Sequence, residues 1–206
     1  MSRPDKTPRA LIHWGADRFD KAGLVYGHGT DNALDEVYSL VLYAVNLPHD
    51  MPDALLDTRL TRSERELIVS WIMRRKQQRI PAAYLTHEAW FAGIPFYVDE
   101  RVLIPRSPIA ELIEASFEPW VQPEQVHRIL DLCTGSACIA IACAYAFPDA
   151  TVDGSDISTD ALAVANMNIK RHALEDRVVA VHSDLFNELA GHQYDLIVSN
   201  PPYVDS

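Results

Sequence analysis

The chain has 206 residues, 48% of them apolar and 23% charged, with a formal net charge of −11. That length suits one large domain, or a medium domain with a small one. The acidic balance argues against a generic binder of DNA or RNA, whose affinity comes mainly from lysine and arginine, and suits a basic partner or a small molecule better. No apolar run approaches the roughly 20 residues of a membrane helix. The polar start, Met1 to Arg9, has no apolar signal core behind it, so a cytoplasmic protein is expected.

Up to about Pro81 the pattern is helical. Thr7-Pro8 opens a helix through Leu11, Ile12 and Trp14, and Thr30 is expected to cap a second through Leu34, Val37, Tyr38, Val41 and Leu42. Thr61 followed by Glu64 is a capping-box pattern, with Leu67, Ile68, Trp71 and Ile72 as the apolar face behind it. Arg74, Arg75, Lys76 and Arg79 read as a solvated helix end. No catalytic constellation stands here, so residues 1–85 are expected to form a small helical domain that recognises the substrate.

Residues 86–122 change in texture. Trp90-Phe91 and Phe96-Tyr97-Val98 flank Ala92-Gly93 as a β-hairpin, and a helix through Leu112, Ile113 and Phe117 follows. From residue 123 to 206 strands alternate with helices: strand 128–132, helix 138–147, strand 151–155, helix 159–172, strand 178–182 and strand 194–199. Such alternation builds a parallel sheet flanked by helices. Cys133, Cys138 and Cys143 are odd in number and bunched, and no histidine pair stands at ligand spacing. They are expected to be small buried hydrophobes, with no metal site and no disulfide.

Three loops carry candidate chemistry. Asp131-Leu132-Cys133-Thr134-Gly135-Ser136-Ala137 joins the first strand to the first helix, where an open α/β sheet binds its ligand. Asp156 closes the second strand, placed to accept from ribose hydroxyls if Ser158 or Thr159 caps the following helix and leaves it free. In Ser183-Asp184-Leu185-Phe186, Asp184 is placed to accept from an adenine amine beside Leu185 or Phe186. The first loop lacks the full G-x-G-x-x-G pattern, which lowers the dinucleotide reading, but these features alone do not choose between a nicotinamide cofactor and S-adenosylmethionine.

The sharpest signal is Asn200-Pro201-Pro202-Tyr203 after the fourth strand. Methylating a planar nitrogen needs two acceptors that hold its hydrogens, so that the delocalised lone pair faces the methyl carbon. The Asn200 side-chain oxygen and the Pro201 carbonyl supply two, and two prolines stiffen the loop that carries them. Tyr203 is expected to pack over the substrate plane or lend its ring face to a cation.

In these motifs the chain resembles the Asn-Pro-Pro-Tyr methyltransferases, and within them the bacterial protein-glutamine N5-methyltransferases. Leu103-Ile104-Pro105-Arg106 and Asp156-Ile157-Ser158 extend the match. The resemblance implies a Rossmann-like, S-adenosylmethionine-dependent fold with about four of its seven strands in this stretch, joined to the small all-α domain by the hairpin. It implies that Asp131, Cys133, Thr134, Gly135, Asp156, Ile157, Asp184, Leu185 and Asn200 line the cofactor site. Asn200, Pro201, Pro202 and Tyr203, with Arg106, hold the glutamine, and Asn200, Pro201 and Tyr203 are the catalytic set. Ala137 departs from the glycine usual there, so reduced room is expected. Of two subfamilies, one acting on peptide-release factors and one on ribosomal protein L-three, Ser107-Pro108-Ile109-Ala110-Glu111-Leu112 and Cys133 resemble the second. A basic ribosomal protein is therefore the expected partner. Three residues follow Tyr203, so a truncated chain is expected, poorly active by itself. The competing readings are a release-factor enzyme, an adenine-N6 DNA methyltransferase, which the charge opposes, a non-catalytic cofactor-binding or assembly module, and, most distant, a nicotinamide oxidoreductase.

Overall fold

The computed structural model describes residues 6–27 and 30–202. The chain divides into two compact units, Met1–His87 and Glu88–Ser206, so the hairpin falls in the second.

In the first unit, α1 (Pro8–Lys21) starts where Thr7 Oγ1 accepts the Ala10 amide, with Pro8 at the first helical position. The cap of α2 (Ala33–Ala44) is Asn32, not Thr30 as expected. Its side chain accepts the Asp35 amide at 2.9 Å, and asparagine is the stronger cap of the two. The capping box of α3 (Arg62–Gln78) is complete: Glu64 N–H donates to Thr61 Oγ1 at 3.2 Å, and Thr61 N–H donates to Glu64 Oε2 at 2.7 Å. A short helix, α4 (Ala82–Thr86), follows. Leu11, Phe19, Val37, Leu40, Ile68 and Ile72 form the core.

One member of the basic run is not solvated. Arg75 is buried, its Nε 2.7 Å from Glu36 Oε1, and it also donates to the Val25 carbonyl at 3.0 Å. Ile68, Ile72 and Arg75 recur every three or four residues, so Arg75 lies on the inward stripe of α3 and must find a partner there.

In the second unit, β1 (Glu88–Phe91) pairs antiparallel with β2 (Ile94–Tyr97). Ala92 and Gly93 both take positive φ, the geometry of a two-residue hairpin turn whose twist matches the strands. α5 (Ile109–Glu114) is shorter than expected. Ser116 and Phe117 turn to positive φ, so Phe117 reaches the core from the turn rather than the helix.

Then come β3 (Arg128–Leu132), α6 (Cys138–Ala146), β4 (Thr151–Asp156), α7 (Thr159–Arg171), β5 (Val178–His182) and β6 (Leu196–Ser199). The sheet is parallel, in the order β5-β4-β3-β6. Val178, Val152, Ile129 and Leu196 align across it and pack into one core with α6 and α7. α6 is apolar all round and buried from Cys138 to Ala144, as a helix in the middle of such a layer must be. Cys138 and Cys143 are free thiols in that core. β6 begins two residues later than the sequence pattern suggests. The Asp195 carboxylate accepts the His127 and Arg128 amides, and Tyr194 Oη donates to Asp153 at 2.7 Å, so both residues brace the sheet from outside the ladder.

Candidate active site

The strand order contains a reversal. β3, β4 and β5 step outward in one direction, and the chain then returns to lay β6 on the free side of β3. This is the Rossmann-like order, and its crevice lies beyond the carboxyl ends of the two strands that flank the reversal. Here those ends are Leu132 and Ser199, paired in register. The two loops that leave them, from Cys133 and from Asn200, therefore start side by side although 67 residues apart in sequence.

The first loop is built around Asp131. Its carboxyl is fully buried. Oδ2 accepts Thr134 Oγ1–H at 2.5 Å and the Ala140 amide at 3.1 Å, while Oδ1 has no hydrogen-bond partner among the described residues. Burial pushes its pKa up to about 7, the two hydrogen bonds opposing. Thr134 is buried, and a Cβ on Gly154 would come 2.9 Å from its Oγ1, so only glycine fits that place in β4. Cys133, Gly135 and Ala137 all take positive φ, which glycine adopts at no steric cost; the tight turn is made here with two non-glycine residues. A Cβ built on Gly135 would meet nothing within 4 Å, so the backbone there faces open space. Burial raises the Cys133 thiol's pKa, which keeps it protonated at neutral pH.

Asp156 differs from expectation. Ser158 caps α7 with its own hydroxyl, but the Asp156 carboxylate is not left free. It accepts the Gly135 amide at 2.9 Å and the Ser158 amide at 2.9 Å, tying the loop after β3 to the loop after β4. A carboxylate has about four lone-pair sites, so acceptor capacity remains. Ile157 is exposed, and its carbonyl lies 3.0 Å from His182 Nε2. After β5, Leu185 takes positive φ, and Asp184, Leu185 and Phe186 are exposed, the last two with large apolar surfaces.

In the second loop, Asn200 is half-buried, and Pro201 and Pro202 are exposed. Tyr203 lies outside the described residues. Ser199 Oγ donates to the Leu132 carbonyl at 2.8 Å. Arg106 is exposed in the segment between β2 and α5. The structure thus gathers two hydrogen-bonded pairs, Asp131 with Thr134 and Asp156 with Gly135, at the loop after β3 that also carries Cys133, with Asn200 one residue past Ser199, which bonds Leu132 at the start of that loop.

Asn168 escaped the sequence reading. It is fully buried on α7; its Oδ1 accepts the Tyr97 amide at 2.7 Å, and its Nδ2 donates to the carbonyls of Tyr97 and Ser136, both at 2.9 Å. It therefore ties the hairpin to the loop after β3. The signal was present: Asn168 falls on the same stripe of α7 as Ala161, Val164 and Ala165, and a polar residue on a buried stripe must be hydrogen-bonded. Among the described residues, no group of His, Cys, Asp and Glu is placed to hold a metal ion.

Residues 118–206 match the family model of the methyltransferase small domain. The ribosomal protein uL3 glutamine methyltransferase of Xanthomonas campestris pv. campestris is 58% identical over 195 residues, which cover 94% of this chain and 63% of that protein. The enzyme of the same name from Neisseria gonorrhoeae is 52% identical over 201 residues, covering 97% of this chain and 67% of that protein. The chain thus spans about two thirds of the length of these relatives. Among solved structures, a Thermus thermophilus 16S rRNA N2 G1207 methyltransferase in complex with AdoMet and guanosine is similar at a TM-score of 0.47 and 24% identity, over 57% of this chain and 32% of that one. The chain belongs to the ribosomal protein uL3 glutamine methyltransferase family.

Proposed function

We propose that the protein transfers a methyl group from S-adenosylmethionine to the side-chain nitrogen of a glutamine in ribosomal protein uL3. The observation that carries this reading is the register Leu132↔Ser199, which starts the Asn200 loop beside the Asp131–Gly135 loop at the reversal of the sheet.

The residues fit the cofactor. Asp131 offers a buried oxygen without a partner among the described residues, Gly135 leaves its backbone open to approach, and Leu185 and Phe186 expose apolar surface next to Asp184. When bound, the cofactor supplies a methyl group on a positively charged sulfur, and a carboxylate-rich crevice suits a cation. Asp131, Thr134, Gly135, Asp156, Ile157, Asp184 and Leu185 would hold it, with Cys133 and Asn200 at the border.

The chain's own part in the reaction is positioning. An amide nitrogen is a poor nucleophile because its lone pair is delocalised. Asn200 Oδ1 and the Pro201 carbonyl accept the two amide hydrogens and turn the lone pair outward, and the two prolines hold those acceptors before the substrate arrives. Tyr203, Arg106 and Pro202 would supply further contacts to the substrate. No side chain is needed as a strong base, since the methylated amide loses its proton to water. Ribosomal proteins bind RNA phosphates and are rich in lysine and arginine, so an enzyme of net charge −11 attracts them. Ribosomal proteins are made in the cytoplasm, and the enzyme would work there. The helical unit supplies further contacts to the substrate.

The test is to incubate the full-length protein with S-adenosylmethionine and unmethylated uL3, and to map the product by tandem mass spectrometry. One methyl group on one glutamine is expected. Methylation of a release factor in preference to uL3, or of adenine in DNA, would replace the reading.

A further inference from the structure

Beyond the residues that meet the substrate, the junction between the two loops carries a device of its own. β6 has four residues and lies at the edge of the sheet among the described residues. Ser199 is its last residue and stands directly before Asn200. Its hydroxyl reaches across to the Leu132 carbonyl at 2.8 Å, at the last paired position of β3 and β6. One side chain thus bonds the strand residue from which the cofactor-side loop departs, and does so one peptide away from the residue that holds the amide. Ser199 is itself exposed, so it adds little to the core, and an aliphatic residue would serve the strand as well.

We propose that Ser199 is a positioning residue, which sets the spacing between the cofactor-side loop and the amide-holding loop through its bond to the Leu132 carbonyl. This rests on the function proposed above. In-line transfer requires the reacting atoms about 3–3.5 Å apart, and a misplacement of about 1 Å costs on the order of 100-fold in rate. A residue that governs that spacing acts on kcat. It does not act on cofactor affinity, which Asp131, Asp156 and the loop backbone determine, or on substrate affinity, which arises over a wider surface.

The experiment uses the full-length protein with S-adenosylmethionine and uL3, comparing the unaltered enzyme with Ser199→Ala and Ser199→Thr. Four quantities are read: kcat, KM for uL3, Kd for S-adenosylhomocysteine, and Tm. Ser199→Ala is expected to lower kcat by about 10- to 100-fold, with KM, Kd and Tm almost unchanged. Ser199→Thr, which keeps the hydroxyl and suits a strand, is expected to restore most of the rate. The inference is overturned if Ser199→Ala keeps kcat within about twofold, which is no more than uniform binding effects produce. It is equally overturned if cofactor affinity and Tm fall together with kcat, or if threonine restores nothing. Failure of the unaltered enzyme to methylate any glutamine is a different result: it removes the proposed function, and this inference with it.

Discussion

The two units differ sharply in charge balance. Residues 1–87 contain 12 Lys and Arg against 11 Asp and Glu, while residues 88–206 contain 6 against 18, so the acidity of the chain belongs to the α/β unit. In the helical unit carboxylates pair with cations: Asp53 and Asp57 with Arg9, Asp17 with Lys21, Glu66 with Arg62, Glu36 with Arg75. In the α/β unit several instead accept backbone amides at the ends of strands. Asp131 takes Ala140, Asp156 takes Gly135 and Ser158, and Asp195 takes His127 and Arg128. Amides beyond the ladder have no strand partner, and a carboxylate satisfies them with charge-assisted bonds. Of the helical unit's pairs only Glu36–Arg75 is buried, the α/β unit adds ion pairs of Asp99, Asp153 and Glu88 with arginines to its loop-shaping carboxylates, and whole-chain net charge describes only the α/β unit.

Substitutions should therefore part along the same line, and the largest effect belongs to the α/β unit. On the proposed function, Asn200→Ala removes an acceptor needed only when the amide is aligned. Methyl transfer is expected to fall by about 100- to 1,000-fold, with S-adenosylhomocysteine affinity and Tm hardly changed, as single-turnover assay, calorimetry and melting will report. Next comes the helical unit. Glu36→Gln leaves the Arg75 charge buried and uncompensated, and breaking such a pair costs about 3–5 kcal/mol. Urea unfolding is expected to show that loss. If Glu36→Gln lowered turnover at a temperature where the protein stays folded, the division between the units would fail.

A smaller effect follows from Asp131. Its pKa is raised from 3.8 to about 7 in the folded state, so between those values the native state holds a proton that the unfolded state has released. Stability then falls as pH rises from about 4 to 7 and levels beyond. Asp131→Asn is expected to flatten this part of the stability–pH curve, measured by denaturant midpoints at successive pH values. The smallest effect is Thr61→Ala, which removes the cap of α3 and costs about 1 kcal/mol with no change in turnover.

Much of this was legible in the sequence because it is local. Thr7-Pro8, the Thr61–Glu64 box and the Ala92-Gly93 turn are read over three or four residues, and each took the expected form. The strand and helix order of the α/β unit followed from periodicity, and with it the crevice, since the position of a sheet reversal is set by which strands come first. The losses came from distant partners. Glu36 and Arg75 are 39 residues apart, and Asn168 meets Tyr97 across 71. Asp156 was expected to be free for a ligand, and the Gly135 amide 21 residues away already uses it. Asn32 displaced Thr30 as a cap because two suitable residues stood close together and only geometry separates them. Positive φ at Cys133 and Ala137 was hidden because neither is glycine.

The central claim is that the crevice at the sheet reversal is a cofactor site built by the α/β unit. Its most direct test is calorimetric titration of residues 1–206 with S-adenosylhomocysteine, beside Asp156→Ala, each first shown to unfold cooperatively. The expected result is saturable one-to-one binding by the unaltered chain, and loss of most of that affinity in Asp156→Ala, which gives up both the ligand acceptor and the bond to Gly135. Absence of binding by a cooperatively folded chain, or binding that Asp156→Ala leaves untouched, would contradict it.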